Sequence, residues 1–126
     1  MRLADYLYTI TRADNAGMAY TVRLLNDCAI YRAHFPGEPI TPGVCIVQMA
    51  KELMELHTGA HLEIAKVKDA RFLSVLSPTT TSEVTFKLSN ITPANDGLGI
   101  AARVEVTASG EAKARISFEL AAAARN

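Results

Sequence analysis

Three runs in the second half of the chain alternate apolar and polar residues with a period of two. Val84, Phe86 and Leu88 alternate with Glu83, Thr85 and Lys87. Ile100, Ala102, Val104 and Val106 alternate with Ala101, Arg103 and Glu105, and Ala112, Ala114, Ile116, Phe118 and Leu120 with Lys113, Arg115, Ser117 and Glu119. Successive side chains of a strand point to opposite faces, so each run reads as a strand with one apolar and one solvated face. Asn95-Asp96-Gly97 and Ser109-Gly110 are turn sequences, which makes neighbouring runs antiparallel hairpins. Such a sheet needs an apolar cover on its inner face. The sequence offers one candidate, the apolar helical segment from Val44 to Leu56. One helix on one mainly antiparallel sheet predicts an α+β fold.

The remaining elements fit that plan. Tyr6 to Arg12 reads as a first strand, Asp14-Asn15-Ala16-Gly17 as a turn, and Met18, Tyr20, Val22 and Leu24 as the apolar face of a second strand. Cys28 to Thr41 is a long irregular connection, because Pro36, Gly37, Pro39 and Pro42 exclude regular structure. A connection of this length is either a functional loop or a proline-stiffened linker. Thr41 suits the helix N-cap and Pro42 the first helical position. The first half of the helix is apolar nearly all round and must be buried, with Lys51 and Glu55 marking the face that reaches water. Gly59 fits a left-handed cap. Leu62 to Val75 alternates irregularly, which predicts a bulged strand closed by Ser77-Pro78. Ala121 to Asn126 reads as a frayed end.

Composition narrows the class. A length of 126 residues fits one domain, residues 1–126, and 49% hydrophobic residues suffice for its core. Thirteen basic and thirteen acidic residues cancel, which argues against nucleic acid or an anionic membrane as partner. No apolar run reaches the length of a membrane span. The N-terminus lacks a signal-peptide core, so the expected location is cytoplasmic. Cys28 and Cys45 then read as free thiols, with Cys45 in the first helical turn, where a thiol can be mildly acidified. His57 and His61 have a metal-like spacing, but Gly59 breaks the helix between them. They read as exposed histidines at a helix end, and no metal site is expected.

The loop and helix carry a more specific pattern. His34-Phe35-Pro36-Gly37, then Pro39, then Pro42-Gly43-Val44 resembles the signature of the β-hydroxyacyl-acyl-carrier-protein dehydratases of fatty-acid synthesis. Ala70-Arg71-Phe72-Leu73 and Ser77-Pro78 resemble the strand after that family's helix. The resemblance covers roughly Leu25 to Phe86. It implies a hot-dog fold, a curved antiparallel sheet wrapped around one helix, and a dimer with each active site built across the subunit interface. The implied substrate is a thioester of acyl-carrier protein or coenzyme A, and no cofactor is implied. In the family the loop histidine is the base and an amide at the helix start holds the thioester carbonyl. Here these map to His34 and to Gly43-Val44. Phe35, Pro36, Gly37, Pro42 and Phe72 map to the substrate-binding surroundings.

The resemblance departs at the family's helix acid, which comes from the other subunit and protonates the departing 3-hydroxyl. Its position, five residues after Gly43, holds Gln48. A short N-terminal helical extension common in the family is also not expected here. A histidine suits removal of a proton beside a thioester, and a helix N-terminus suits the developing enolate. Glutamine can hold a hydroxyl or a water but cannot titrate, and a missing acid costs about 10²–10⁴-fold. Glu52 lies one turn beyond Gln48, about 6 Å along the axis at ~1.5 Å per residue. In the family the acid comes first and a glutamine follows four residues later, so the pair here looks exchanged. Two readings of Glu52 follow: a proton relay through a water held by Gln48, or a solvated carboxylate paired with Lys51 or a neighbour.

The leading expectation is a 3-hydroxyacyl-thioester dehydratase, a hydro-lyase of fatty-acid or polyene synthesis, with His34, Gln48 and Glu52 in the catalytic group. The alternatives are a hot-dog acyl thioesterase, in which Gln48 orients an attacking water, and a non-catalytic acyl-binding subunit paired with an active partner. The assembly is a homodimer, a heterodimer or a higher assembly of dimers. Met49, Leu53, Met54 and Phe72 line an acyl tunnel or simply form core. Lys66, Lys68 and Arg71 guide an acidic carrier protein or are a solvated strand face.

Overall fold

The three alternating runs become the centre of one six-stranded sheet. The computed structural model describes residues 2–33, 37–94 and 97–123. In chain order its elements are β1 (Tyr8–Ala13), β2 (Ala19–Leu24), α1 (Ala29–Ala33), α2 (Gly43–Thr58), β3 (Leu62–Phe72), β4 (Glu83–Pro93), β5 (Gly99–Ala108) and β6 (Glu111–Ala122). The strand order is β1-β2-β4-β5-β6-β3, every pair antiparallel. The curved sheet wraps around α2, and the arrangement is the hot-dog fold. No helix among the described residues is long and apolar enough to cross a membrane.

Register places the apolar faces in rows. Tyr20, Phe86, Val106 and Ala114 align across four strands, and Leu88, Val104 and Ile116 form the next row. All seven are buried. Met49, Ala50, Leu53 and Met54 of α2 pack against them with no exposed surface. Burying a large apolar side chain contributes about 1.5–3 kcal/mol, so this contact dominates the fold.

Local chemistry shapes the connections. Ser109 and Gly110 both take positive φ, 54° and 74°, as a tight hairpin turn requires. Gly59 ends α2 at φ 72°, and its N–H closes on the Glu55 carbonyl at 2.8 Å. The expected bulges of β3 fall between Ile64 and Lys66 and between Val67 and Asp69.

Four expectations need correction. The first strand begins at Tyr8, because Leu3 to Leu7 close a turn through Leu7 N–H to the Leu3 carbonyl. The connection after Cys28 contains α1, whose Tyr31 is buried and bonded to Thr41. Glu55 is mostly buried rather than solvated: Arg2, Lys51 and the Leu62 N–H surround its carboxylate. Ala121 and Ala122 are not frayed but pair with Glu63 and Leu62 in β6.

Burial pushes the Glu55 carboxyl up, but the Leu62 N–H, Lys51 and Arg2 outweigh it, and the net shift is below the ordinary value of 4.5. A depressed carboxyl stabilises the fold above its unfolded-state pKa and loses that contribution as pH falls through the native one. Glu55→Gln should therefore melt lower than wild type at pH 7, with the gap closing as pH drops below about 4. Gly99 is constrained by space: a Cβ there would strike the Leu120 carbonyl oxygen of β6. Gly99→Ala should lower the urea midpoint by the equivalent of roughly 1–3 kcal/mol.

Candidate active site

The N-terminus of α2 is built without a side-chain cap. Pro42 occupies the N-cap in extended conformation (φ −61°, ψ 143°), and its carbonyl accepts from Cys45 and Ile46 at 3.0 and 3.2 Å. Thr41, the expected cap, turns away. Its hydroxyl bonds Tyr31 at 2.8 Å and its N–H bonds the Leu76 carbonyl at 2.8 Å. Among the described residues nothing accepts the Gly43 and Val44 N–H groups. They sit at the positive end of the helix dipole, where a developing negative charge is stabilised. Val44 is 76% exposed, so this end of the helix is open.

One turn further, Gln48 shares the Val44 face. Together with Leu3, Cys45, Val47, Ile64 and Val67 they line a cavity of about 290 Å³ between α2 and β3. Among the described residues the side chains of its wall are hydrocarbon apart from the Cys45 thiol and the Gln48 amide. Cys45 is not acidified: burial, with Cys28 nearby, pushes its thiol up. A polar amide one turn from open backbone N–H groups, inside an apolar cavity, is the arrangement a thioester carbonyl and a nearby hydroxyl or water require.

Gln48 is held from below. Its Nε2 donates to Glu52 Oε2 at 2.9 Å. Glu52 is 1% exposed, which corrects the reading of a solvated carboxylate paired with Lys51. The Leu3 N–H donates to Oε2 at 2.7 Å, the Ala4 N–H to Oε1 at 2.9 Å and the Tyr8 hydroxyl to Oε1 at 2.8 Å. Four donors fill the acceptor positions of a carboxylate. Burial, and then the Glu52 carboxylate beside it, push the Tyr8 hydroxyl far up, so Tyr8 stays a neutral donor. The path from Glu52 toward the cavity runs through an amide, which does not titrate. The geometry suits Glu52 as an anchor for Gln48 better than as a proton relay.

The other candidates are distributed more widely. Phe72 packs on Gly43, where a Cβ would lie 2.9 Å from its ring, and both line a second cavity of about 430 Å³ with Ile40, Ile46 and Leu73 to Leu76. Met49, Leu53 and Met54 are core, while Phe72 is 48% exposed. Pro42 lies at the helix start and Gly37 is exposed, whereas His34, Phe35 and Pro36 lie outside the described residues. His57 Nδ1 is 2.8 Å from the Gly17 carbonyl and only partly exposed, unlike the exposed His61. Lys68 pairs with Glu119 at 3.4 Å and Arg71 with Asp69 at 3.1 Å. A larger cleft of about 580 Å³ lies on the outer sheet face, where Arg71–Asp69 and Arg115–Glu105 pair in the open. It is remote from the chemistry of α2. Leu3, Tyr8, Ile64 and Val67 complete the surroundings of Gln48 without any signal in the sequence, because only tertiary packing brings them there.

The sequence profile of the ApeI-like family, described as ApeI dehydratase, matches residues 10–111. The chain belongs to the ApeI dehydratase family. This bears out the dehydratase resemblance carried by the His34 to Val44 stretch. No curated protein matches the chain significantly. Among solved structures, the dehydratase heterocomplex ApeI:P from Xenorhabdus doucetiae superposes with a TM-score of 0.69 at 14% identity, covering 90% of this chain and 97% of that one. A hypothetical thioesterase with coenzyme A from Streptococcus pneumoniae gives 0.62 at 11% identity, covering 94% and 88%. An HP0420 homologue from Helicobacter felis gives 0.65 at 14%, covering 94% and 90%. At these identities the superpositions bear on the fold alone.

In this family member, residues 48 and 52 carry one carboxylate between them. Gln48→Glu would set two carboxylates at hydrogen-bond distance, a pair that cannot comfortably ionise together. The variant should melt well below wild type at pH 8, and the gap should narrow at pH 5 as the pair takes up a proton. Thermal melts at the two pH values check this.

Proposed function

We propose that the chain is a cytoplasmic 3-hydroxyacyl-thioester dehydratase. It acts on a thioester of acyl-carrier protein or coenzyme A, in fatty-acid or polyene synthesis, and yields a trans-2-enoyl thioester. The observation that carries this reading is the cavity shared by the open Val44 end of α2 and Gln48. The thioester carbonyl sits on the Gly43 and Val44 N–H groups, which stabilise the enolate formed when His34 removes the C2 proton. Gln48 holds the 3-hydroxyl. Glutamine cannot supply the proton that hydroxide needs to leave as water. The His34 imidazolium, formed in the first step, returns it directly or through a water held by Gln48. The products are the enoyl thioester and water, and the base is regenerated. Phe35, Pro36, Gly37, Pro42 and Phe72 enclose the substrate.

The exposed apolar side chains Val44, Val67, Phe72, Leu73 and Val75 surround this region, and the outer edge of β3 is unpaired among the described residues. An apolar patch beside an open edge supports a dimer in which a second subunit completes the site. A second reading makes that subunit a different chain, which brings a helix acid. Two observations favour it: Gln48 itself, and the solution of the ApeI neighbour as a heterocomplex. The coenzyme A thioesterase neighbour keeps hydrolysis in view as a third outcome.

One comparison separates these. The purified protein, alone, is given 3-hydroxyacyl and simple acyl thioesters. Enoyl product establishes dehydration, free thiol from both substrates establishes hydrolysis, and inactivity in both points to a subunit that needs its partner. If dehydration is seen, His34→Ala should lower kcat/KM by about 10²–10⁴-fold, and an unchanged rate would remove His34 from the site.

A further inference from the structure

The cavity wall and the N-terminal segment meet in a single carboxylate. Glu52 accepts from Gln48 on one side and from Leu3, Ala4 and Tyr8 on the other. Leu3 also places a fully buried side chain in the wall of the Gln48 cavity. We infer that residues 3 to 8 are a positioning element for Gln48, with Glu52 the positioning residue that transmits their hold.

The physical reason lies in what each group can do. A glutamine side chain rotates about several bonds, and its two amide ends are nearly the same size but opposite in hydrogen-bonding sense. A partner that only accepts selects the NH₂ end and turns the carbonyl end away. Glu52 is such a partner, but it orients Gln48 only if it is itself fixed. Two of its donors are backbone N–H groups, which cannot rotate away, and the third is a buried tyrosine hydroxyl. Glutamine at position 52 would offer one acceptor oxygen to four donors and set an NH₂ group against some of them. The order amide at 48, carboxylate at 52 is thus fixed from the N-terminus inward.

The kinetic part of this inference rests on the dehydratase reading, whereas the orientation of Gln48 does not. The test therefore has two readouts on the full chain. In ¹⁵N-labelled protein the Gln48 side-chain NH₂ resonances are identified by their loss in Gln48→Leu. They are then followed in Glu52→Gln, Glu52→Asp and Tyr8→Phe, alongside kcat and KM for a 3-hydroxybutyryl N-acetylcysteamine thioester. Glu52→Gln and Tyr8→Phe should move the resonances and lower kcat by about tenfold with KM nearly constant, the mark of a lost transition-state contact. Glu52→Asp should recover part of both. Unmoved Gln48 resonances in folded Glu52→Gln overturn the inference, and Tyr8→Phe decides in the same way if Glu52→Gln does not fold. A moved resonance with unchanged kcat overturns its kinetic part. If wild type itself has no turnover but the resonances move, the positioning stands and the dehydratase reading falls.

Discussion

A carboxylate sealed inside the protein is tolerable only where hydrogen bonds replace its water. Glu52 meets that condition, with four donors in place. Removing any one would leave a buried lone pair or a buried donor unsatisfied, which typically costs about 1–3 kcal/mol. The helix, the first turn of the chain and the start of β1 are therefore locked to one another by a single side chain. Among the described residues no buried side-chain nitrogen or oxygen is left without a partner.

That lock explains the most unusual feature of the sequence. The position to which the resemblance assigns a helix acid carries Gln48, one turn before Glu52. With a carboxylate fixed at 52 by the N-terminal donors, a second one at 48 would face it at the 2.9 Å now spanned by the amide. Like charges at that distance cannot both persist. An amide at 48 is the neutral group that bonds the carboxylate from the wall of the cavity. The exchange of acid and glutamine is thus a structural consequence as well as a chemical departure.

Much of the fold was legible because the sheet alternates so regularly. Val84 to Leu88, Ile100 to Val106 and Ala112 to Leu120 could only be strands, and the single apolar helix could only be their cover. What escaped reading depended on distant partners. Glu55 looked like part of a solvated face because nothing in its spacing reveals that Arg2 and Leu62 close over it. Thr41 had the right chemistry for a helix cap, but Tyr31 claims its hydroxyl. Gln48 was legible as a departure. Its anchor was only half legible: the four-residue spacing pointed to Glu52, while the donors from Leu3, Ala4 and Tyr8 did not show in any local pattern. His34 was named from its motif and lies outside the described residues.

The strand order has a consequence for assembly in time. β3 supplies Ile64 and Val67 to the wall of the cavity, yet among the described residues it pairs with β6 alone, so that residue 62 meets residue 122. Pairings between distant parts of a chain form late, because their loop-closure entropy is offset only when the contact is complete. A nascent chain could form the β1–β2 hairpin and α2 early and still lack the strand that shapes the cavity. The pocket would close late, once β6 is in place, and loss of the β6 residues that pair with β3 would cost the site its wall.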